Sequence, residues 1–387
     1  MIDEKNIKAN LEVFTFPRLS GTIAEEKAFK LAVEKVERLN LNYLIQEFEF
    51  STFYSRIYPK IIFSLGFLLI LMLFLGFESL LLFVLSIIFI SVLLILFILM
   101  RHPEKYKLYK RLKSANLYVK LPSINSNQSN NLNSDKLIIF MCHLDSKGQR
   151  LPLRVRVRAM RAWIFTSLIL LIIILLKNII LPNFSMIFII IGLLPMTINA
   201  LSTVLILINT INNESPGASD NASGIACVLE LMQFYSNMKS RLKNYDTWFV
   251  FTGCEETGTM GIRNFYKKIK DFEKYSVFII NFDGIGRSIT IFDSIYKPNG
   301  YNELYNRFLN NNKGLQIFEK SKKINFGVHS DGTYMKNKFF QGIEFGDLSI
   351  YGYMHSSNDT IDKVNTKNIK ILCELIIENL RDIDNQL

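Results

Sequence analysis

Cysteine is scarce in this chain of 387 residues, and its four cysteines show neither CxxC spacing nor a paired framework. That absence argues against a disulfide scaffold and is typical of a reducing compartment. The N-terminal segment MIDEKNIKANLEVF is polar and mixed in charge, so it does not have the pattern of a signal peptide. No segment repeats along the chain apart from two similar apolar regions.

Long apolar runs, in contrast, are present. The two regions consist of the halves Ile61–Phe77 and Leu80–Met100, then Ala162–Leu181 and Phe184–Ile208. Each half is long enough, or nearly so, to cross a hydrocarbon layer of ~30 Å as a helix. A soluble core helix rarely stays apolar on every face over this length, so we predict two transmembrane hairpins rather than two buried core hairpins. These spans lack acidic residues apart from Glu78 at a turn, which argues against a transporter.

Positive charge is concentrated between the two apolar regions. Residues 101–161 contain fourteen Lys or Arg against three Asp or Glu, whereas residues 1–60 contain nine of each. A basic surface of this kind can bind nucleic acid. Its position beside membrane spans favours anionic lipid headgroups instead, so we expect a lipid bilayer and no nucleic acid as partner.

The short turns of the hairpins hold few charges. They contain only Glu78 and, at the edge of the third span, Lys177, whose stem can reach the membrane interface. The flanks on the other side contain Arg56, Lys60, Arg101, Lys105, Lys107, Arg154, Arg156, Arg158 and Arg161. By the positive-inside rule, this pattern predicts a multi-pass protein of the cell membrane whose polar segments all face the cytoplasm.

Outside the hairpins the sequence alternates between helical and strand patterns. Strands are predicted at Leu44–Phe50, Asn116–Leu121, Leu137–Cys142, Trp248–Thr252 and Val277–Phe282. Helices are predicted at Ala24–Leu39, Ser223–Tyr235, Gly258–Lys268, Asn302–Asn310 and Thr366–Leu380, with a surface loop at Ser123–Asp135. The sequence therefore predicts a discontinuous α/β domain of residues 1–60, 101–161 and 209–387, with hairpins at 61–100 and 162–208.

Acidic residues and histidine gather where strands end. The clusters are Cys142-His143-Leu144-Asp145, Ser219-Asp220-Asn221, Cys254-Glu255-Glu256, Asn281-Phe282-Asp283 and Met354-His355. In open α/β sheets, ligands bind beyond the carboxyl ends of the strands. Histidine and carboxylates without a cysteine pattern indicate a divalent metal such as zinc.

The number of candidate ligands fits a pair of metal ions. Two metals that share one bridging carboxylate need about two further protein ligands each. His143, Asp220, Glu256, Asp283 and His355 supply that number. In an extended Glu255-Glu256 pair, successive side chains point opposite ways, so one can face the metals and the other the substrate. Taken alone, each cluster is equally compatible with a turn, a helix cap or a solvated acidic pair.

The clusters together resemble the motifs of the M28 metallopeptidase family, which includes zinc aminopeptidases. The matching segments, in family order, are His143-x-Asp145-Ser146, Pro216-Gly217-Ala218-x-Asp220-Asn221-Ala222-Ser223-Gly224, Glu255-Glu256-x-Gly258, Asn281-Phe282-Asp283 and His355-Ser356-x-x-Asp359-Thr360. Arg18-x-x-Gly21-Thr22, Gln46-Glu47-Phe48 and Ser330-Asp331 are similar to further family segments. The resemblance covers essentially everything outside the hairpins, and it implies a mixed sheet flanked by helices, the zinc-aminopeptidase, phosphorylase/hydrolase-like fold.

The resemblance also implies a role for each residue. Asp220 would bridge two Zn²⁺ ions, with His143 and Asp283 completing one site. Glu256 and His355 would complete the other. Glu255 would be the general base for attack of a metal-activated water on a peptide carbonyl, and Asp145 would hold the His143 ring through its second nitrogen. Cobalt or manganese is left open in place of zinc.

Two departures from the family pattern stand out. Several members have Tyr directly before the last histidine, where this chain has Met354, which leaves the oxyanion donor undetermined. The second hairpin lies between His143 and Asp220, where soluble relatives have a short loop. We therefore expect a site close to the bilayer surface and short or hydrophobic peptides as substrates.

The leading hypothesis from the sequence is thus a membrane-anchored di-zinc metallopeptidase, in particular an aminopeptidase. Two alternatives are a non-catalytic M28-like membrane scaffold and a single-zinc acyltransferase similar to glutaminyl cyclase. The complete ligand set argues against the scaffold, and the Asp220–Gly224 run is more similar to the two-metal peptidases. Substrate side-chain preference, exo- or endopeptidase action, oligomeric state and pathway are not encoded in any pattern of this sequence.

Overall fold

One large mixed β-sheet organises the part of the chain that carries the polar clusters. The computed structural model describes residues 2–76, 80–106, 108–125, 136–292, 308, 318–320 and 330–386. Its strands are β1 Tyr43–Ser51, β2 Arg111–Leu121, β3 Leu137–His143, β4 Gly148–Gln149, β5 Ile211–Asn212, β6 Asp246–Thr252, β7 Val277–Phe282, β8 Ile289–Phe292, β9 Phe318–Lys320 and β10 Gln341–Gly346.

The described helices follow the same chain order. They are α1 Glu4–Phe14, α2 Ile23–Arg38, α3 Phe53–Arg56, α4 Tyr58–Leu75, α5 Leu80–Leu99, α6 Leu153–Leu175, α7 Ser185–Ile208, α8 Ser223–Ser236, α9 Met260–Ile269, α10 Asp331–Lys336 and α11 Thr366–Asp384.

The direction of the central strands decides where their ends meet. The sheet order is β1-β2-β6-β3-β7-β10-β8-β9, and β4 pairs with β5 in a separate small ribbon. Strands β6, β3, β7 and β10 run parallel, whereas β2 is antiparallel to β6 and β8 is antiparallel to β10. The carboxyl ends of the four parallel strands therefore lie at one edge of the sheet. This confirms the predicted α/β fold with a mixed sheet flanked by helices.

Strand β3 shows why the centre of the sheet is apolar throughout. Ile138 and Phe140 join a buried cluster with side chains of α1, α8 and α11. Ile139 and Met141, on the opposite face, join a second cluster with side chains of α9 and α10. Successive strand residues point to opposite faces, so a strand covered by helices on both faces needs a continuous apolar run. Burial of each such side chain contributes roughly 1.5–3 kcal/mol.

The predicted strands and helices lie close to the observed ones, with a few differences at their ends. Helix α9 begins at Met260 rather than Gly258, because Gly258 and Thr259 have φ of +104° and +57° and form a turn. The predicted helix Asn302–Asn310, apart from residue 308, and most of the predicted loop Ser123–Asp135 lie outside the described residues. The domain limits drawn from the sequence stay a prediction.

The chain forms two compact units. The first comprises residues 1–50, 112–148 and 212–387, and the second comprises residues 51–111 and 149–211. The second unit contains four helices long and apolar enough to cross a membrane, namely α4, α5, α6 with the π-helical segment that follows it, and α7. Helix α6 begins at Leu153, nine residues before the predicted limit, so the four arginines from Arg154 to Arg161 lie in its first turns.

Polar contacts join the apolar helices of the second unit. The amide nitrogen of Asn199 in α7 lies 2.9–3.0 Å from the Trp163 carbonyl and the Thr166 and Ser167 hydroxyls of α6. Lys177 is buried, and its ammonium donates to the Phe74 carbonyl in the last turn of α4 at 2.5 Å. The C-terminal end of a helix attracts a cation, and the expected extension of Lys177 to the membrane interface stays a prediction.

Candidate metal centre

Five candidate ligands reach one edge of the sheet from five different segments. His143 is the last residue of β3, and Glu256 and Asp283 follow β6 and β7. Asp220 lies in the turn that leads into α8, and His355 lies in the loop after β10. All five side chains are buried or nearly so. Because the parallel strands end at the same edge, residues up to 212 positions apart in sequence come together there.

Asp220 stands between two groups of side chains. Its Oδ1 lies 3.1 Å from His143 Nε2, and that nitrogen lies 3.5 Å from Asp283 Oδ1. Its Oδ2 lies 3.1 Å from His355 Nε2, which lies 2.8 Å from Glu256 Oε1. The two oxygens of the Asp220 carboxylate thus face two different clusters, and each cluster consists of three residues including Asp220.

The atoms that face one another in these clusters fit a metal. His143 Nε2, both Asp220 carboxylate oxygens, Glu256 Oε1 and His355 Nε2 are buried without a hydrogen-bond partner among the described residues. Buried polar atoms without partners are costly, so their convergence on common points calls for a ligand. Zinc–nitrogen and zinc–oxygen distances of about 2.0–2.2 Å place tetrahedral ligand atoms roughly 3.3 Å apart, close to the spacings above.

Comparison with known proteins agrees with this geometry. Residues 200–380 match the model of peptidase family M28. This part of the chain is thus similar to the M28 peptidases. No curated protein matches the sequence. The matched residues include Asp220, Glu255, Glu256, Asp283 and His355, whereas His143 precedes them.

Solved structures share the fold of this chain. The aminopeptidase from Aneurinibacillus sp. strain AM-1 is 13% identical, with a TM-score of 0.58 over 98% of this chain and 93% of that one. The zinc aminopeptidase BSAP from Bacillus subtilis is 11% identical, with a TM-score of 0.55 over 99% and 96%. The glutaminyl cyclase of an Acidobacteriales bacterium is 14% identical, with a TM-score of 0.56 over 100% and 96%. At these identities the likeness concerns the fold.

The electrostatics of the candidate metal centre favour a bound cation. Burial alone lowers the pKa of His143, but the carboxylates of Asp145, Asp220 and Asp283 outweigh it and raise that pKa well above its usual value. Burial alone raises the pKa of Asp220, but the two histidines outweigh it and hold that pKa well below its usual value. So much buried negative charge attracts positive charge, which a proton or a divalent metal ion can supply.

Asp145 positions the Glu255-Glu256 pair. Its carboxylate accepts the backbone N–H groups of Glu255 and Glu256 at 3.0 and 3.1 Å and the Ser20 hydroxyl at 2.5 Å. Its contact with His143 Nδ1 is made by the backbone carbonyl, at 3.0 Å, while the carboxylate lies at 3.5 Å. Asp145 therefore orients the His143 ring through its main chain and orients the two glutamates through its side chain.

The two glutamates occupy a turn rather than an extended segment. Cys254 before them has φ of +56°, and the Gly258 and Thr259 N–H groups both donate to the Glu255 carbonyl. The prediction of an extended Glu255-Glu256 pair is therefore wrong. Strand β6 ends at Thr252, and the Asp145 carboxylate binds the backbone N–H groups of the two glutamates in place of a neighbouring strand. Burial raises the pKa of Glu255 well above its usual value; Glu256 and Asp283 add to that rise and His143 opposes it.

The turn of Asp220 is fixed by the C-terminal part of the chain. Asp359 accepts the backbone N–H groups of Ser219 and Asp220 at 2.8 and 3.1 Å, and Asn221 donates to the Phe282 carbonyl at 2.8 Å. Burial, with help from Asp220, raises the pKa of Asp359 to about 6. The Asp220-Asn221 peptide bond is cis. Asp359 thus connects the Asp220 turn to the segment of His355.

Two further buried charges support the site. The Arg18 guanidinium is fully buried and donates to five backbone carbonyls, including those of Leu144, Pro216 and Gly217, so it joins the loops of His143 and Asp220. Glu25 accepts from the backbone N–H groups of Gly21 and Cys254, and burial raises its pKa to about 7. The sequence shows Glu25 only as an ordinary acid in the first turn of α2, so its role was not predicted.

Proposed function

We propose that this chain is a membrane-anchored metallopeptidase of the M28 type, in particular an aminopeptidase, that holds two zinc ions. The observation that carries the proposal is Asp220, whose two oxygens each face a different histidine at 3.1 Å. The family match and the fold shared with zinc aminopeptidases support it. His143 and Asp283 would complete one zinc site, and Glu256 and His355 would complete the other.

The residues around the ligands support hydrolysis of a peptide bond. Zinc bound here would polarise the peptide carbonyl and make water a stronger nucleophile at neutral pH. Glu255 would take the proton of that water and give it to the leaving amine. Its raised pKa suits a group that must both accept and return a proton. The Asp145 carboxylate keeps Glu255 in place because it accepts the backbone N–H of Glu255.

Removal of metal is expected to abolish hydrolysis. We expect the full chain, purified in detergent, to contain two zinc ions and to release N-terminal residues from short or hydrophobic peptides. Dialysis against a chelator should lower the rate to that of a metal-free control, and added zinc should restore it. Elemental analysis before and after each step supplies the count. Undiminished cleavage by metal-free protein would refute the proposal.

A second candidate is acyl transfer by a glutaminyl cyclase. The fold similarity to a bacterial glutaminyl cyclase, with a TM-score of 0.56, is as strong as that to the aminopeptidases. The same metal analysis separates the two, because this alternative requires one zinc rather than two. Cyclisation of an N-terminal glutamine, with no release of free amino acid, would favour it. A protein that binds no zinc would point to a non-catalytic membrane scaffold.

The four apolar helices support insertion in the cell membrane as two hairpins, with the peptidase domain in the cytoplasm. Arginines in the first turns of α6 and the basic residues that flank the other spans favour this orientation. We expect a green fluorescent protein joined to the C-terminus to fluoresce and alkaline phosphatase joined there to be inactive. The reverse pair of results would place the domain outside the cell.

A further inference from the structure

Lys147 makes the two halves of the centre unequal. It lies two residues after Asp145, and its side chain is 9% exposed. Its ammonium lies 2.5 Å from Glu256 Oε2, while Glu256 Oε1 lies 2.8 Å from His355 Nε2. The two oxygens of Glu256 are therefore divided between a lysine and the candidate ligand cluster.

This division changes the charge available to a metal. The cluster of His143, Asp220 and Asp283 has two carboxylates, and the described ion pairs of those carboxylates are with His143 and His355 rather than with a lysine or arginine. The cluster of Asp220, Glu256 and His355 also has two carboxylates, but the charge of Glu256 is already balanced by Lys147. The second cluster is therefore less negative than the first by one unit of formal charge.

We infer that Lys147 sets the order and strength of metal binding: the cluster of His143 fills first and tightly, and the cluster of His355 binds its metal weakly and exchangeably. The inference rests on the proposed two-metal function. Lys147 acts here as a positioning residue. It is neither a metal ligand nor a substrate contact, and it affects metal binding through its contact with Glu256.

Two physical effects lead to this result. A fixed ammonium a few ångströms from a bound divalent cation repels it, and burial of the pair weakens the screening by solvent. The hydrogen bond from Lys147 also occupies Glu256 Oε2, so Glu256 offers a single oxygen to the metal. Without Lys147, both Glu256 oxygens and the full carboxylate charge would be available to the second ion.

The test is a zinc titration of the full chain in detergent, with a competing chelator that reports free zinc. Wild-type protein is expected to bind two ions in two separate steps. In Lys147→Met and Lys147→Gln the weaker step should tighten roughly 10- to 100-fold, the range in which groups next to metal ligands change affinity. Lys147→Arg keeps the charge and should keep two unequal steps. Lys30→Met, which removes an exposed lysine of α2, should behave like wild type.

The outcomes separate this inference from the proposed function. A single wild-type zinc with a second gained in Lys147→Met would support the inference and correct the metal count. An unchanged or weaker second step in both neutral variants, with circular dichroism like that of wild type, would overturn it. A wild-type chain that binds no zinc at all would instead refute the proposed function. Cobalt absorption, which reports coordination number, should change in the Lys147 variants but not in Lys30→Met.

Discussion

Glu255→Gln protein is expected to lose about 10²- to 10⁴-fold in hydrolysis while it keeps its metal. Glutamine has nearly the same size and fills the same buried space, but it cannot accept the proton of the attacking water. The Asp145 carboxylate binds the backbone N–H of residue 255, so the turn should keep its conformation in the variant. Steady-state cleavage of a short peptide, with zinc counted in the same sample, measures both quantities.

A matched change elsewhere shows whether the loss is specific. Glu26 is an exposed glutamate of α2, paired only with Lys30 on the same helix among its described contacts, and Glu26→Gln should leave the rate unchanged. If Glu255→Gln were as active as wild type, Glu255 would not be the base. If it lost zinc as well as activity, Glu255 would be a ligand or a structural residue instead.

Asp220→Asn protein is expected to lose both activity and most of its zinc. One carboxamide nitrogen would replace an oxygen that faces a histidine at 3.1 Å, and the negative charge shared by both clusters would vanish. Changes in groups that merely support ligands already cost about 10- to 100-fold in metal affinity, so we expect more than about 100-fold here. Zinc titration of the purified variant measures the loss.

Asp283→Asn provides the comparison, because Asp283 belongs to only one cluster. That variant should weaken one binding step and leave the other within a few fold of wild type. The exposed Asp271 serves as the control, and Asp271→Asn should titrate like the unmodified chain. Equal loss of one ion in both Asp220→Asn and Asp283→Asn would show that Asp220 does not bridge.

The central strands could be predicted because their position in the sheet determines their composition. β7 lies at Val277–Phe282 as predicted, and β3 extends one residue past the prediction to His143. Both are covered on two faces, so nearly every residue is apolar and polar residues follow close to the strand end. The five candidate ligands stand at such ends or in polar turns, and the structure brings all five together. Their roles remain proposals.

Strand β10 and the supporting charges could not be predicted in the same way. β10 contains Gln341 and Glu344 with two glycines, so it lacks the apolar run that marks β3. Lys147 and Glu256 are 109 residues apart, and Glu25 and Cys254 are 229 residues apart. A single charged residue gives no local sign of a partner so distant, and only the folded chain shows which carboxylate it meets.

The chain leaves the first compact unit at residue 148 and returns to it at residue 212, and helices α6 and α7 lie between these two points. On a ribosome, therefore, His143 is made before the second hairpin, while Asp220, Glu256, Asp283 and His355 are all made after it. Both apolar hairpins are therefore made before the five candidate ligands can assemble. A product that stops at any point before residue 355 lacks His355 and so, under the proposed function, should hydrolyse no peptide.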